Sequence, residues 1–248
     1  MKDLQLKLAL ERETQTDAAC LSLVHETLYD ALALAPSAIL HGQELEYFHT
    51  LSALKRKKDF LLGRYAAKRA LQELVPVTNL AAIHIKPGVF QQPVVSGSGY
   101  EHLSVCITHS GCYAAAVAFP TGHPLGIDME WHDKEHVETL SSQVSQKELP
   151  PAVLSQFKAQ PEVERYTRVW TVKEALSKIL KCGLTTPFSI FELDADPVTE
   201  IGIWSGGFEN FHQYRFISLA SDQLSFALVH PGRTKVLTPY QKIIDFLA

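Results

Sequence analysis

The segment Gly-Ile-Asp-Met-Glu-Trp, residues 126–131, carries two carboxylates one residue apart in an otherwise apolar run. Successive side chains of a β-strand point to opposite faces, so Asp128 and Glu130 share one face and the apolar residues share the other. Two like charges on one face repel and raise each other's pKa unless a cation lies between them. The segment therefore predicts a strand whose acidic face meets either water or a metal ion.

A further acid and a lysine lie in the stretch Val-Trp-Thr-Val-Lys-Glu-Ala-Leu-Ser-Lys-Ile-Leu-Lys-Cys-Gly, residues 169–183. Its apolar residues recur at helical spacing, which predicts an amphipathic helix that ends near Gly183. Glu174 and Lys178 are four residues apart and fall on the polar face of this helix. Taken alone, such a pair is usually a solvated helix surface, so the spacing by itself does not assign a site.

Cations and a histidine occur in the N-terminal half. The stretch 55–74 is rich in helix formers, and Arg64 and Lys68 share one stripe of the predicted helix, which is by itself typical of a solvated surface. His109 follows a strand-like run and precedes Ser-Gly, and a single histidine in that position is more often a turn residue than a ligand. These residues become candidates only in combination with the others.

The elements that position these residues follow from periodicity and turn formers. Three strand-like runs at 103–108, 113–119 and 124–130 predict an antiparallel meander. Four further strands are expected after Gly183, in the second half of the chain. They are "FSIFEL", "IGIW", "YRFISLA" and "SFALV". The chain is therefore expected to be an α/β protein with two halves that meet near residue 122.

The composition is that of an ordinary globular protein. With 248 residues, 46% hydrophobic and 20% charged, the chain can form one large domain or two small ones. The net charge of −4 does not suggest nucleic acid as a partner. The four cysteines form no CxxC pair, which favours a reducing compartment. Because no long apolar run and no targeting segment is visible, we expect a cytoplasmic protein with no membrane partner.

Four blocks of the sequence together resemble the signature motifs of one enzyme family. They are "LLGRYAAKRAL" (61–71), "CITHS" (106–110), "GIDME" (126–130) and "WTVKEALSK" (170–178). In this order they are similar to the 4′-phosphopantetheinyl transferases, in particular the larger surfactin-synthetase-activating type. The resemblance implies an α+β fold of two similar lobes related by a pseudo-two-fold axis, each an antiparallel-rich sheet packed by a long helix. Such proteins are monomers and bind coenzyme A and Mg²⁺ between the lobes.

The same resemblance implies the reaction. The phosphopantetheine arm of coenzyme A is transferred to a serine of an apo acyl or peptidyl carrier protein, which releases adenosine 3′,5′-bisphosphate. Carriers of this kind are generally acidic around the serine. By match to the motifs, Asp128, Glu130 and Glu174 hold Mg²⁺, and this answers why the two strand acids face the same way. Glu174 is also the candidate base, Lys178 neutralises the leaving phosphate, and Asp128 completes the catalytic set.

The coenzyme A contacts are carried over in the same way. His109, with Thr108 beside it, matches the contact to the 3′-phosphate, and Arg64 matches a phosphate clamp. Where the family commonly has Gly-Lys-Pro or Gly-Arg-Pro, this chain has Gln91-Gln92-Pro93, so a cation is missing that Lys86 would have to replace. The full set of expected coenzyme A contacts is Arg64, Lys86, Gln91, Gln92, Thr108, His109, Asp128, Lys173, Glu174 and Lys178. The expected division is an N-terminal lobe of residues 1–122, with the phosphate contacts, and a C-terminal lobe of residues 123–248, with the acids.

Two alternatives stay open at this point. "HDKEH", residues 132–136, matches the H-x-x-E-H pattern of inverted zinc metallopeptidases, with both histidines on one face if the segment is helical. No third ligand is placed downstream, so this signal is weak. The other alternative is a coenzyme A-binding module without catalysis, supported only by Gln92. The presence of Asp128, Glu130, Glu174 and Lys178 together argues against it.

Overall fold

The computed structural model describes residues 3–97, 99–145, 147–149, 153–154, 160–196 and 203–248. The chain divides into two compact units. Unit 1 comprises Met1–Pro124 and Lys235–Thr238, and unit 2 comprises Leu125–Thr234 and Pro239–Ala248. The boundary lies two residues after the expected one, and a short segment near the C-terminus belongs to unit 1, which the sequence did not indicate.

The described residues form twelve strands and six helices longer than a single turn. The strands are β1 (Asp3–Glu11), β2 (Thr16–His25), β3 (His84–Pro87), β4 (Pro93–Ser96), β5 (Leu103–Ser110), β6 (Tyr113–Pro120), β7 (Gly126–Trp131), β8 (Leu193–Ala195), β9 (Ile203–Phe208), β10 (Tyr214–Ala220), β11 (Leu224–Pro231) and β12 (Lys235–Leu237). The helices are α1 (Tyr29–Ala33), α2 (Gly42–Thr50), α3 (Leu54–Gln72), α4 (Val137–Ser142), α5 (Glu162–Leu180) and α6 (Tyr240–Leu247).

Each unit contains one five-stranded sheet with antiparallel pairing throughout. In unit 1 the strand order is β12-β1-β2-β6-β5, and β3 and β4 form a separate hairpin. In unit 2 the order is β7-β11-β10-β9-β8. Helix α3 packs on β2, β5 and β6, and helix α5 packs on β7, β10 and β11. The expected α+β fold, with antiparallel sheets each packed by a long helix, is confirmed.

The two units share one connection pattern. In each, a strand leads to a helix of 19 residues and then to a hairpin whose second strand pairs antiparallel with the first strand. In unit 1 these elements are β2, α3 and the β5–β6 hairpin. In unit 2 they are β7, α5 and the β10–β11 hairpin. The expectation of two similar lobes is therefore visible as a repeated topology.

The predicted meander is wrong in its third strand. β5 and β6 form the expected hairpin, but β7 pairs with β11 in the sheet of unit 2. Alternation along a strand shows which residues share a face, but it does not identify the neighbouring strand. The expected strand "FSIFEL" is also mostly wrong, because Phe188–Phe191 is a 3₁₀ turn and β8 begins at Leu193. The first two residues of "IGIW" lie outside the described residues, and β9 begins at Ile203.

The second long helix ends earlier than predicted. Helix α5 stops at Leu180, and Lys181 adopts the left-handed conformation with φ 57°, its N–H donating to the carbonyl of Ser177. Gly183 lies beyond this cap, where it begins a 3₁₀ turn. Lys181 thus adopts the backbone conformation at a helix end that glycine usually adopts.

Two global expectations can be compared with the described residues. Among them, no helix combines the length and the apolar character that crossing a bilayer would require. All four cysteines are free, two of them buried and two half-buried.

Candidate functional site

Strand β7 places its acids on the face that packs against α5. A Cβ atom built on Gly126 would lie 2.1 Å from the carbonyl oxygen of Ala175, so the helix lies directly over this end of the strand. Ile127 and Met129, on the opposite face, are completely buried. The alternation predicted from the sequence is therefore present, and it directs Asp128 towards α5.

An ion pair joins the strand to the helix at this point. The ammonium of Lys178 donates to Asp128 Oδ1 at 2.7 Å and to the carbonyl of Ile127 at 3.2 Å. Asp128 is only 3% exposed, whereas Lys178 is half-buried. The structure thus brings together two of the three residues expected to be catalytic.

Glu174 lies one helical turn before Lys178 and is half-buried. Its pKa is raised above the usual value, first by burial and then by the negative charge of Asp128. Lys178 and a hydrogen bond from the Ser177 hydroxyl, at 3.2 Å, oppose this rise. Asp128 and Glu174 therefore interact as like charges in a partly desolvated place, with Lys178 as their cation.

Glu130, the third expected metal ligand, is half-buried on the same strand face as Asp128 and lies opposite Ser225 of β11. Within the part of the chain that the structure describes, no three His, Cys, Asp or Glu side chains are arranged as a ready-made metal cluster. The donors nevertheless fit a magnesium ion in kind, because carboxylate oxygens are its preferred ligands. The repulsion between Asp128 and Glu174 is also what a bound cation would relieve.

The histidine expected to contact coenzyme A lies in unit 1. His109 is exposed at the end of β5 and lines a cleft of about 320 Å³, together with Lys55 and Lys58. Lys58 donates to Glu26 at 2.9 Å. Thr108, the preceding residue, is buried with 5% exposure, and its expected contact with coenzyme A stays a prediction.

Arg64 is held inside unit 1 on helix α3. Its Nε lies 3.2 Å from Glu44 Oε1, and its guanidinium lies over the ring of Phe60 at 4.7 Å. Burial lowers the pKa of Arg64, and the charge of Glu44 opposes this shift. The side chain is 16% exposed.

Lys68 and Lys173 are both buried, although the helical stripe of Lys68 was typical of a solvated surface. Lys68 is 0% exposed and is bound to Glu44, and Lys173 is 1% exposed and is bound to Glu148. The charge of Lys173 thus lies in an internal ion pair. Its expected contact with coenzyme A stays a prediction.

The hairpin between β3 and β4 carries the remaining candidates. Lys86 and Gln91 are exposed, and Gln91 has a left-handed backbone with φ 63°. The side-chain oxygen of Gln92 accepts a hydrogen bond from the N–H of Phe90 at 2.9 Å. Gln92 is thus engaged within its own loop, whereas Lys86 is an exposed cation on the same hairpin.

The two glutamates that pair with Lys68 and Lys173 were not found from the sequence. Glu148 follows Ser145 at the spacing of a capping box, and the N–H of Ser145 indeed donates to Glu148 Oε2 at 2.7 Å. Glu44 receives the N–H of His41 in the same way, at 2.8 Å. The S-x-x-E spacing was a signal that could have identified Glu148, although not its partner Lys173.

The structure does not support the zinc alternative. His132 precedes the 3₁₀ turn Lys134–His136, so the segment does not form the helix that the H-x-x-E-H pattern requires. The ring nitrogens of His132 contact the carbonyl of Asp222 at 3.3 Å and Ser225 Oγ at 2.8 Å. The side chain of His136 lies outside the described part.

Comparison with known proteins points to one family. Residues 124–229 match the family described as the 4′-phosphopantetheinyl transferase superfamily. Over 81 residues the chain is 32% identical to the holo-[acyl-carrier-protein] synthase of Mycoplasma mycoides subsp. mycoides, an alignment that covers 32% of this chain and 72% of that protein. The region that matches the family, residues 124–229, contains Asp128, Glu174 and Lys178.

Two solved structures are also similar. A holo-(acyl-carrier-protein) synthase from Bacillus anthracis, in complex with CoA (3′,5′-ADP), is 18% identical with a TM-score of 0.37, over 47% of this chain and 97% of that chain. The holo-ACP-synthase from Plasmodium yoelii is 16% identical with a TM-score of 0.35, over 48% of this chain and 97% of that chain. Each alignment covers about half of this chain.

Proposed function

This chain belongs to the 4′-phosphopantetheinyl transferase superfamily, and from this premise we propose that it transfers the 4′-phosphopantetheine arm of coenzyme A to a serine of apo carrier proteins. The products are holo carrier protein and adenosine 3′,5′-bisphosphate. The observation that carries the proposal is the cluster of Asp128, Glu174 and Lys178 within the matched region. It combines a candidate base, a cation for the leaving group and a second carboxylate.

In the proposed reaction, the serine oxygen of the carrier attacks the β-phosphorus of coenzyme A. The bond from this phosphorus to the bridging oxygen breaks, and adenosine 3′,5′-bisphosphate leaves. Glu174 takes the serine proton, and its half-buried carboxylate remains open enough to do so. Lys178 stabilises the charge that develops on the leaving phosphate, since its ammonium already lies at the same cluster.

Asp128, Glu130 and Glu174 are the residues that would hold Mg²⁺. When bound, the ion neutralises charge on the pyrophosphate of the substrate. In the structure, the buried carboxylate of Asp128 forms an ion pair with Lys178. With a cation held by these carboxylates, the ammonium of Lys178 would be available to the leaving phosphate.

The proposed coenzyme A contacts in unit 1 are His109 for the 3′-phosphate and Arg64 for a second phosphate. His109 is supported by its exposure in the cleft, and Arg64 by its firmly held guanidinium. Lys86 is the proposed replacement for the cation absent at Gln91-Gln92-Pro93, because it is exposed on the same hairpin.

The repeated topology of the two units supports the larger, two-lobed type. The relative from Mycoplasma mycoides is far shorter, about 110 residues, since 81 aligned residues are 72% of it. A short protein of that kind has room for one such unit. We accordingly propose a monomer in which both lobes come from one chain, acting in the cytoplasm on acidic acyl or peptidyl carrier proteins.

The test is incubation with coenzyme A, MgCl₂ and a panel of apo carrier proteins, followed by intact-mass measurement. A carrier that gains the mass of one phosphopantetheine group, and whose Ser→Ala variant does not, supports the proposal. Omission of Mg²⁺ with added chelator should stop the reaction. Coenzyme A binding without any mass gain across the panel would favour the non-catalytic binding module.

A further inference from the structure

The two units contain the same buried ion-pair network. In unit 2, Glu148 receives the ammonium of Lys173 at 2.9 Å, the N–H of Ser145 at 2.7 Å and the N–H of Leu193 at 3.1 Å. Lys173 also donates to the carbonyl of Gln143 at 2.9 Å. The three donors to Glu148 come from α5, from the segment after α4 and from β8, so one carboxylate joins three parts of the unit.

Unit 1 repeats this network contact by contact. Glu44 receives the ammonium of Lys68, the N–H of His41 and the N–H of Ile85, and Lys68 donates to the carbonyl of Ile39. The N–H donor precedes the glutamate by three residues and the carbonyl by five residues in both units. Lysine follows glutamate after 24 residues in unit 1 and after 25 in unit 2. All four charged side chains are at most 3% exposed.

What differs is the residue that each lysine adjoins. Lys173 immediately precedes Glu174, and Lys178 follows five residues later on the same helix. Lys68 is followed by Arg69, which bonds to Gln72 on its own helix. The network of unit 2 therefore fixes the part of α5 that carries the reacting groups. That of unit 1 adjoins Arg64, a proposed phosphate contact, but none of the reacting groups.

We propose that Glu148 and Lys173 are positioning residues for the transfer reaction, and that they hold α5 in the register that sets Glu174 and Lys178 against Asp128. This inference rests on the proposed function. Asp128 belongs to β7, so its place relative to Glu174 depends on how α5 lies on that strand. A displacement of about 1 Å in a reacting group can lower a rate by about 10²-fold.

The experiment compares Lys173→Met with Lys68→Met. Both changes remove an ammonium from the same kind of buried network, so both should lower the melting temperature. Assays well below either melting temperature then separate positioning from general stability. We expect Lys173→Met to lower kcat by about 10- to 100-fold, with KM for coenzyme A little changed. This is the usual effect of losing a residue that orients the reacting groups without touching the substrate. We expect Lys68→Met to leave kcat within about twofold, and any effect to fall on KM, because Glu44 also pairs with Arg64.

Equal kcat values for the two variants would overturn the proposal, since the pair of unit 2 would then be only structural. If Lys173→Met does not fold, Lys173→Arg and Lys68→Arg apply the same criterion, because they keep the charge and displace the donor. A larger loss of kcat in Lys173→Arg supports the proposal, and equal values contradict it. A wild-type protein that modifies no carrier would instead show that the proposed function itself is wrong.

Discussion

The two units use one scaffold for different surfaces. Each has a long helix on a five-stranded antiparallel sheet and a buried glutamate–lysine pair that joins the helix to its surroundings. Unit 1 contains His109 and Arg64, which are proposed for coenzyme A, whereas unit 2 contains the three carboxylates proposed for the metal ion, together with Lys178. The repeated residues are thus the buried ones, and the residues proposed for chemistry occupy positions that are not repeated.

The helices show this position by position. One turn before the buried lysine, α3 has Arg64 and α5 has Val169, which is completely buried. Directly after the buried lysine, α3 has Arg69 and α5 has Glu174. A charged residue that recurs in both units therefore serves the fold, and a charged residue found in one unit is the better candidate for function.

The largest effect is expected at Asp128. Asp128→Asn removes one negative charge from the cluster of Asp128, Glu174 and Lys178, so kcat should fall by about 10²- to 10³-fold. Stability should change little, because the lost ion pair with Lys178 is offset by relief of the repulsion with Glu174. The measurements are steady-state transfer across a magnesium titration and thermal unfolding.

Asp194→Asn is the matched control for Asp128→Asn, because Asp194 is an exposed strand carboxylate of the same unit. Its kcat should equal that of the wild type. Wild-type activity of Asp128→Asn at every magnesium concentration would show that Asp128 has no part in the metal site.

A somewhat smaller loss is expected from Lys178→Met, because the carboxylates remain in place. Without the ammonium, the leaving phosphate has lost one cation, and kcat should fall by about 10²-fold. Lys178→Arg keeps the charge and should recover part of the activity. Lys242→Met, on the exposed face of α6, controls for the loss of a lysine in unit 2. Full activity of Lys178→Met would remove this lysine from the reaction.

The third prediction concerns His109, the proposed coenzyme A contact in unit 1. His109→Ala should raise KM for coenzyme A by about 10- to 100-fold, since a charge-assisted hydrogen bond contributes about 1.5 to 3 kcal/mol. The KM for 3′-dephospho-coenzyme A should not change, because that substrate lacks the proposed partner. His102→Ala, an exposed histidine of the same unit, is the control. An equal rise for both substrates would show that His109 does not contact the 3′-phosphate.

Local pattern predicted much of this arrangement. The alternation of β7 gave the shared face of Asp128 and Glu130, and helical spacing gave the polar stripe of Glu174 and Lys178, because both depend on neighbours in sequence. The sheet partner of β7 was missed, since β11 lies almost one hundred residues later.

The buried lysines were missed for a similar reason. A lysine on a helix is usually exposed, and it becomes internal only where a distant carboxylate compensates its charge. Glu148 lies 25 residues before Lys173, and helix periodicity carries no information at that separation. The repeat of the network between the units was likewise hidden, because its fixed spacings join different elements and carry no shared motif.

The smallest effect concerns backbone strain, and it compares one residue from each unit. Among the described residues, Gln91 and Lys181 are the non-glycine residues with positive φ, at 63° and 57°. The left-handed conformation costs a residue with a side chain about 1 to 2 kcal/mol, and glycine avoids this cost. Part of the gain is lost because glycine has more conformational freedom in the unfolded chain. Gln91→Gly and Lys181→Gly should each raise the free energy of unfolding by about 0.5 to 1 kcal/mol, without a change in kcat.

Urea unfolding measures this free energy. Lys242→Gly is the control, because glycine inside the regular helix α6 should lower the free energy of unfolding by about 1 kcal/mol. A loss of stability at Lys181→Gly would mean that its side chain stabilises the end of α5 by more than the backbone strain costs.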